Sequence, residues 1–128
     1  MNGLHTKIKG YKEIIVTDKM SAKSVKSGEL DVFATPSLIA LVEETAWNSV
    51  AQYLSSEQCT VGTKIEINHI APTSIGVKVS CETELTEIDG RKLTFSVLVY
   101  DEVEKIAEGV HERFIVNKER FIQKSNNK

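Results

Sequence analysis

Between residues 35 and 69 the chain reads TPSLIALVEETAWNSVAQYLSSEQCTVGTKIEINH, and the spacing of its apolar residues changes on the way. Up to Leu54 they recur three and four apart, the period of a helix face. Thr35 and Pro36 open this run as a hydroxyl cap followed by a proline in the first turn, where its missing N–H is not needed. The pattern predicts a helix of about five turns ending near Leu54. From Cys59 the period becomes two: Val61, Thr63, Ile65, Ile67 and His69 alternate with Gly62, Lys64, Glu66 and Asn68, as along a strand with one buried face.

Downstream, Ile75, Val77, Val79, Cys81 and Leu85 repeat the alternation. Asp89-Gly90 is a two-residue hairpin signal leading into Leu93, Phe95, Val97 and Val99, and a last strand runs from about Lys105 to Val116. Upstream, Tyr11 to Asp18 reads as a first strand around Ile14, Ile15 and Val16, and the polar stretch Lys19 to Asp31 as a loop. One strand, one long helix and four strands in hairpin order predict an α+β fold, a five-stranded antiparallel sheet wrapped around a central helix, which is the hot-dog arrangement. Open sheet edges and an apolar helix predict a homodimer.

At 128 residues, 41% hydrophobic and 27% charged, the chain suits one domain over 1–128 with a packed core. Residues 1–10 and 118–128 are expected to be flexible ends. The net charge of -2 gives no broad positive field for nucleic acid, while leaving room for a local anion pocket. No run is apolar enough to cross a membrane, and the amino terminus lacks a signal-peptide core. Cys59 and Cys81 read as reduced thiols, so the expected compartment is the cytoplasm. No histidine–cysteine spacing suits zinc, and neither a phosphate-cradling glycine loop nor a serine nucleophile elbow occurs. No metal or cofactor is expected.

On a helical wheel with Leu38 at zero, Ile39, Val42, Ala46, Trp47, Val50 and Leu54 fall between roughly 40° and 180°, and Glu43 at about 140° lies within that arc. Glu44, Thr45, Asn48, Ser49 and Gln52 take the other side, with Leu41 the exception. A carboxylate flanked by Ile39, Trp47, Val50 and Leu54 is expected to lose water on folding. That marks either a reactive group or a structural ion pair. Strand alternation sets His69 on the face of Val61, Ile65 and Ile67, so it reads as a pocket wall beside Glu43 or as a core histidine. Thr35 reads as a helix cap whose helix start, with partial positive charge and free amides, also suits a developing oxyanion. Gly62 reads as a bulge, a close-packing point or a backbone donor. Arg113 points with His111, Ala107 and Ile115 to one face, as a partner for a buried carboxylate, a phosphate holder or an edge charge.

The segments VFATPSLIALVEETA, VGTKIEINHIAPTSIG, EIDGRKLTFSV and GVHERFIV resemble the fluoroacetyl-CoA thioesterase-like proteins of the hot-dog superfamily, without gaps from about Val32 to Val116. The resemblance implies hydrolysis of a small acyl-CoA, with Thr35, Glu43 and His69 as the catalytic set, Gly62 near the acyl oxygen and Arg113 in support. Lys26-Ser27-Gly28-Glu29 is polar where a fluoroacyl-selective enzyme is expected to carry an aromatic lid. A 3-hydroxyacyl thioester dehydratase and a non-catalytic acyl-CoA-binding dimer are the alternative readings of the same residues. Thr35 and Glu43 are eight residues apart, about 12 Å along the axis. The acyl group therefore lies between them on one helix, or a dimer sets the helix start of one subunit against Glu43 of the other.

Overall fold

The computed structural model describes residues 3–128. Five strands, β1 (Lys9–Ile15), β2 (Gln58–His69), β3 (Lys78–Asp89), β4 (Lys92–Tyr100) and β5 (Lys105–Asn117), form one antiparallel sheet around the helix α1 (Thr35–Ala51). The α+β hot-dog arrangement is as expected. The hairpin order is not: the sheet runs β1-β3-β4-β5-β2, so only β3, β4 and β5 follow one another as hairpins, and the chain crosses from β2 at one edge to β3 beside β1. Alternation shows which face a strand buries but not its neighbour, so β2 read the same in either position.

The helix packs through Leu38, Leu41, Val42, Thr45, Ala46 and Val50, all buried. The core face is therefore centred near Leu38 and includes two residues that the wheel set apart, Leu41 and Thr45. Thr45 fits because its hydroxyl donates to the Leu41 carbonyl at 2.7 Å, which satisfies it within the helix. Conversely, Ile39 is half-buried and Trp47 is 44% exposed, so the strip carrying Glu43 is the margin of the buried face and not its middle. The helix lies close to β1 because position 10 is glycine: a Cβ there would stand 2.9 Å from both the Ser49 Cβ and the Thr45 carbonyl oxygen. Val79, Cys81, Thr83 and Leu85 of β3 and Leu93, Phe95, Val97 and Val99 of β4 complete the core. Each large apolar side chain removed from water contributes about 1.5–3 kcal/mol.

Both ends differ from the expectation. Met1 and Asn2 lie outside the described residues, but Ile8 is buried and Lys7 N–H donates to the Leu85 carbonyl at 2.7 Å, tying the segment before β1 to β3. Lys118–Asn126 forms a helix, α2, whose first turn is capped by the Asn117 side chain accepting from Arg120 N–H at 3.0 Å. None of its residues is buried.

Candidate active site

The predicted site residues fall into two groups at different heights along α1. At the helix start, the Thr35 hydroxyl and His69 Nδ1 are hydrogen-bonded at 2.8 Å. Thr35 is thus not the cap that its place before proline suggested. Ala34, in extended conformation, takes that position with no side-chain bond, and the Leu38 N–H donates to its carbonyl at 2.9 Å. The hydroxyl is drawn sideways to β2 instead of back to its own helix. Within a helix the amides of Thr35 and Ser37 have no partner, and Pro36 offers none.

His69 lies edge-on to Phe33, ring centroids 6.5 Å apart. Burial lowers its pKa, the backbone of Ala71 working against that shift, so the ring is neutral near pH 7. Its Nε2 is buried and makes no hydrogen bond of good geometry, the Ala71 backbone being the nearby polar group. A buried polar atom of this kind is costly unless something meets it. The ring and Thr35 line a cavity of about 310 Å³ together with Ser27, Phe33 and Pro72.

The second group surrounds Glu43. Arg113 and Gly62 are paired across β5 and β2, and the register shifts between Gly62 and Lys64, leaving Thr63 as the extra residue of a β-bulge. The bulge and the absent side chain open a notch beside the helix: a Cβ on Gly62 would collide with the Glu43 Oε2 and crowd Arg113 Nη1 at 3.3 Å. Arg113 is only 5% exposed. Its Nε donates to the Thr60 hydroxyl at 2.8 Å, its Nη2 to the Thr60 carbonyl at 2.9 Å and its Nη1 to His111 Nε2 at 3.2 Å. Because that Nε2 accepts, His111 carries its proton on Nδ1, which donates to the Lys64 carbonyl at 2.8 Å. Burial, first, and the charge of Arg113 depress the His111 pKa and keep the ring neutral.

Arg113 Nη1 stands 3.6 Å from Glu43 Oε2, an ion pair longer than a hydrogen bond. The Glu43 side chain is 42% exposed, so the expectation that it is stripped of water does not hold in the single chain. Arg113 is the buried partner, and Glu43 is held at one oxygen with the rest open. The sequence reading named Glu43, Gly62 and Arg113 but missed His111 and Thr60 as the groups that fix the guanidinium. The shared face of His111 and Arg113 on one strand was the available signal.

Glu43 and His69 are not brought together as the pocket reading anticipated. His69 pairs with Thr35, Glu43 pairs with Arg113, and about two helical turns separate the groups. The arrangement offers neutral hydrogen-bonding groups and free helix amides at one end, and an anchored, accessible carboxylate at the other. Among the described residues no cluster suited to a metal ion occurs. No described helix is long and apolar enough to cross a membrane.

A family model described as fluoroacetyl-CoA-specific thioesterase (FlK) matches residues 16–119. The fluoroacetyl-CoA thioesterase of Streptantibioticus cattleyicolor is 35% identical over 91 residues, which are 71% of this chain and 66% of that protein. The chain thus spans slightly less than two thirds of that relative's length. A solved structure of the fluoroacetyl-CoA thioesterase FlK superposes with a TM-score of 0.95 at 27% identity, covering 99% of this chain and 98% of the other. A Thermus thermophilus thioesterase superfamily member, at 20% identity, shares the fold with a TM-score of 0.91 over 99% of this chain and 94% of its own. With a family model spanning both groups of site residues on a matching fold, the chain belongs to the fluoroacetyl-CoA-specific thioesterase family.

Proposed function

We propose that the protein hydrolyses a small acyl-CoA to the free acid and coenzyme A, with Glu43 as the carboxylate that opens the thioester. The observation that carries this reading is the state of Glu43: ionic contact on one side from a buried Arg113 held by Thr60 and His111, a strand opened at Gly62 beside it, and 42% of its side chain accessible. A purely structural ion pair has no need of that opening. The carboxylate either attacks the thioester carbon, forming an anhydride that water then cleaves, or takes a proton from the water that attacks. In both routes the carbonyl oxygen gains negative charge, the C–S bond breaks and the thiolate leaves to be protonated.

Thr35 and His69 are the groups assigned to the acyl carbonyl and the water, with the amides of the helix start as oxyanion donors. The distance between the two ends of the helix favours a homodimer in which the helix start of one subunit faces Glu43 of the other. The 12-residue β2 at the sheet edge supports it, since a long open edge is a template for pairing. Two free thiols, with burial pushing Cys81 up to about 11, suit a reducing compartment and support the cytoplasm as the proposed location.

Fluoroacetyl selectivity is not part of the proposal, because Lys26 to Glu29 supply no aromatic group over the Thr35–His69 cavity. The test is a thiol-release screen over short, branched and aromatic acyl-CoA esters. Free thiol accumulating with at least one short ester is the expected result. A dehydratase would leave every thioester intact, and a non-catalytic binder would be stabilised by the esters without turning them over.

A further inference from the structure

Behind Glu43, Arg113 and Gly62 stands His111, a buried imidazole to which the proposed reaction gives no step. The ring is fully buried and stacked on Phe95, with centroids 6.2 Å apart and planes inclined by 29°. Its Nδ1–H donates to the Lys64 carbonyl at 2.8 Å, next to the bulge in β2. The ring also forms the floor of the notch, since a Cβ on Gly62 would stand 3.4 Å from His111 Cε1. The ring is thus fixed by β2 and β4, with its remaining nitrogen, Nε2, turned to Arg113.

A guanidinium is a rigid planar fork that donates and never accepts. In Arg113, Nε and Nη2 are taken by Thr60, through its hydroxyl and its carbonyl. Nη1 has two hydrogens to place, and the acceptors facing it are His111 Nε2 at 3.2 Å and Glu43 Oε2 at 3.6 Å. With one hydrogen on the imidazole, the other is left for the carboxylate. The charge of the acceptor matters as much as its place. A carboxylate in the position of His111 would compete with Glu43 for Arg113, whereas a neutral imidazole directs the guanidinium and leaves its charge to the ion pair. Burial, together with the charge of Arg113, keeps the ring in that neutral form. Glu112, next along β5, lies by alternation on the opposite face of the strand.

Resting on the thioesterase reading, we propose that His111 is a positioning residue for the reaction: its Nε2 aims the Arg113 guanidinium, and the guanidinium holds Glu43 at the thioester. His111 acts through Arg113, so its loss is felt in the rate of bond breaking and not in substrate binding.

Asparagine and glutamine at this position separate the two ring nitrogens. The asparagine amide reaches as far as Nδ1 and keeps the Lys64 bond, while the glutamine amide reaches as far as Nε2 and returns an acceptor to Arg113. Thiol release is measured per folded molecule for both variants with the best acyl-CoA ester. His111→Asn is expected to lose about tenfold in kcat with KM within about twofold, and His111→Gln to stay within about threefold of the wild type in kcat. Nitrogen NMR of the wild type is expected to show His111 protonated at Nδ1. Equal kcat in the two variants overturns the proposal, as does a loss confined to KM or a His111 ring protonated at Nε2. If the asparagine protein does not fold, the glutamine protein decides alone: kcat near the wild type upholds the proposal and a fall of about tenfold overturns it. A wild type that cleaves no ester, with its His111 protonated at Nδ1, overturns the thioesterase reading and leaves the hold of His111 on Arg113 standing.

Discussion

His69 and His111 stand on the neighbouring strands β2 and β5, both with pKa values lowered by burial, and they differ in one respect. His111 has both ring nitrogens occupied, Nδ1 by the Lys64 carbonyl and Nε2 by Arg113. His69 has Nδ1 on Thr35 and a buried Nε2 with no hydrogen bond of good geometry. The His111 ring is fixed at both nitrogens by protein groups, whereas the His69 ring is fixed firmly only at Nδ1, with the Ala71 backbone nearby. The carboxylate and the cation divide in the same way: Arg113 is buried and held by Thr60 and His111, while Glu43 is open. In the proposed mechanism His69 and Glu43 meet the substrate, while His111 and Arg113 hold the notch beside Glu43.

This contrast is broken most directly by truncating the two histidines. His69→Ala is expected to lower kcat/KM for the best ester by about 100-fold, or about 2.7 kcal/mol of barrier, with little change in the urea midpoint. A destabilised protein with full residual activity would return His69 to the core. His111→Ala is expected to cost about 2 kcal/mol in urea unfolding, because it leaves a cavity and strands Arg113 and the Lys64 carbonyl. If His111→Ala proves no less stable than His69→Ala, the distinction between them fails.

Gly62→Ala sharpens the second half of the contrast. The methyl group meets the Glu43 carboxylate and Arg113, so the side chain must turn away from its ion pair. Turnover is expected to fall roughly tenfold by displacement alone. An alanine variant as active as the wild type would show that the notch at β2 has no part in placing Glu43.

The smallest expected effect is on pH. Both imidazoles are held below their usual 6.5, so below about pH 6.5 the unfolded chain takes up protons that the folded one refuses, and stability falls with pH until the folded values are reached. Above that range neither ring contributes. Thermal scans are expected to show the melting temperature dropping between pH 7 and pH 5, with a shallower slope in His111→Gln. A flat profile over the same interval would mean that neither ring is held neutral.

How much of this the sequence revealed follows from what each pattern encodes. The change of period between Leu54 and Cys59 located the helix and β2, and Asp89-Gly90 located the β3–β4 turn, because those features are local. The place of β2 at the sheet edge was hidden, since alternation carries no information on pairing. Thr45 was set on the wrong side because polarity stood in for exposure, and a threonine bonded to its own helix is at ease in a core; Leu41, the apolar exception on that side, was the sign that the core face reached so far. The helix α2 was missed because it buries nothing; Asn117 followed by Glu119 in the first turn was the cap that announced it. Thr35, Glu43, His69, Gly62 and Arg113 were all legible as candidates. Their division into two groups was not, because it depends on the height of each side chain along α1 and β2.

The central claim is that Glu43 is the reactive carboxylate and Glu44, one residue on and paired at 3.8 Å with the half-exposed Lys12, is an ordinary surface acid. Glu43→Gln keeps shape and hydrogen bonding but removes the charge that a nucleophile or base requires, so the measurement is thiol release by Glu43→Gln and Glu44→Gln side by side. The account predicts a loss of at least about 100-fold in the first, with its melting temperature held or raised, and near wild-type turnover in the second. Equal activity in the two variants, or a Glu43→Gln protein that loses stability while keeping its turnover, would contradict it.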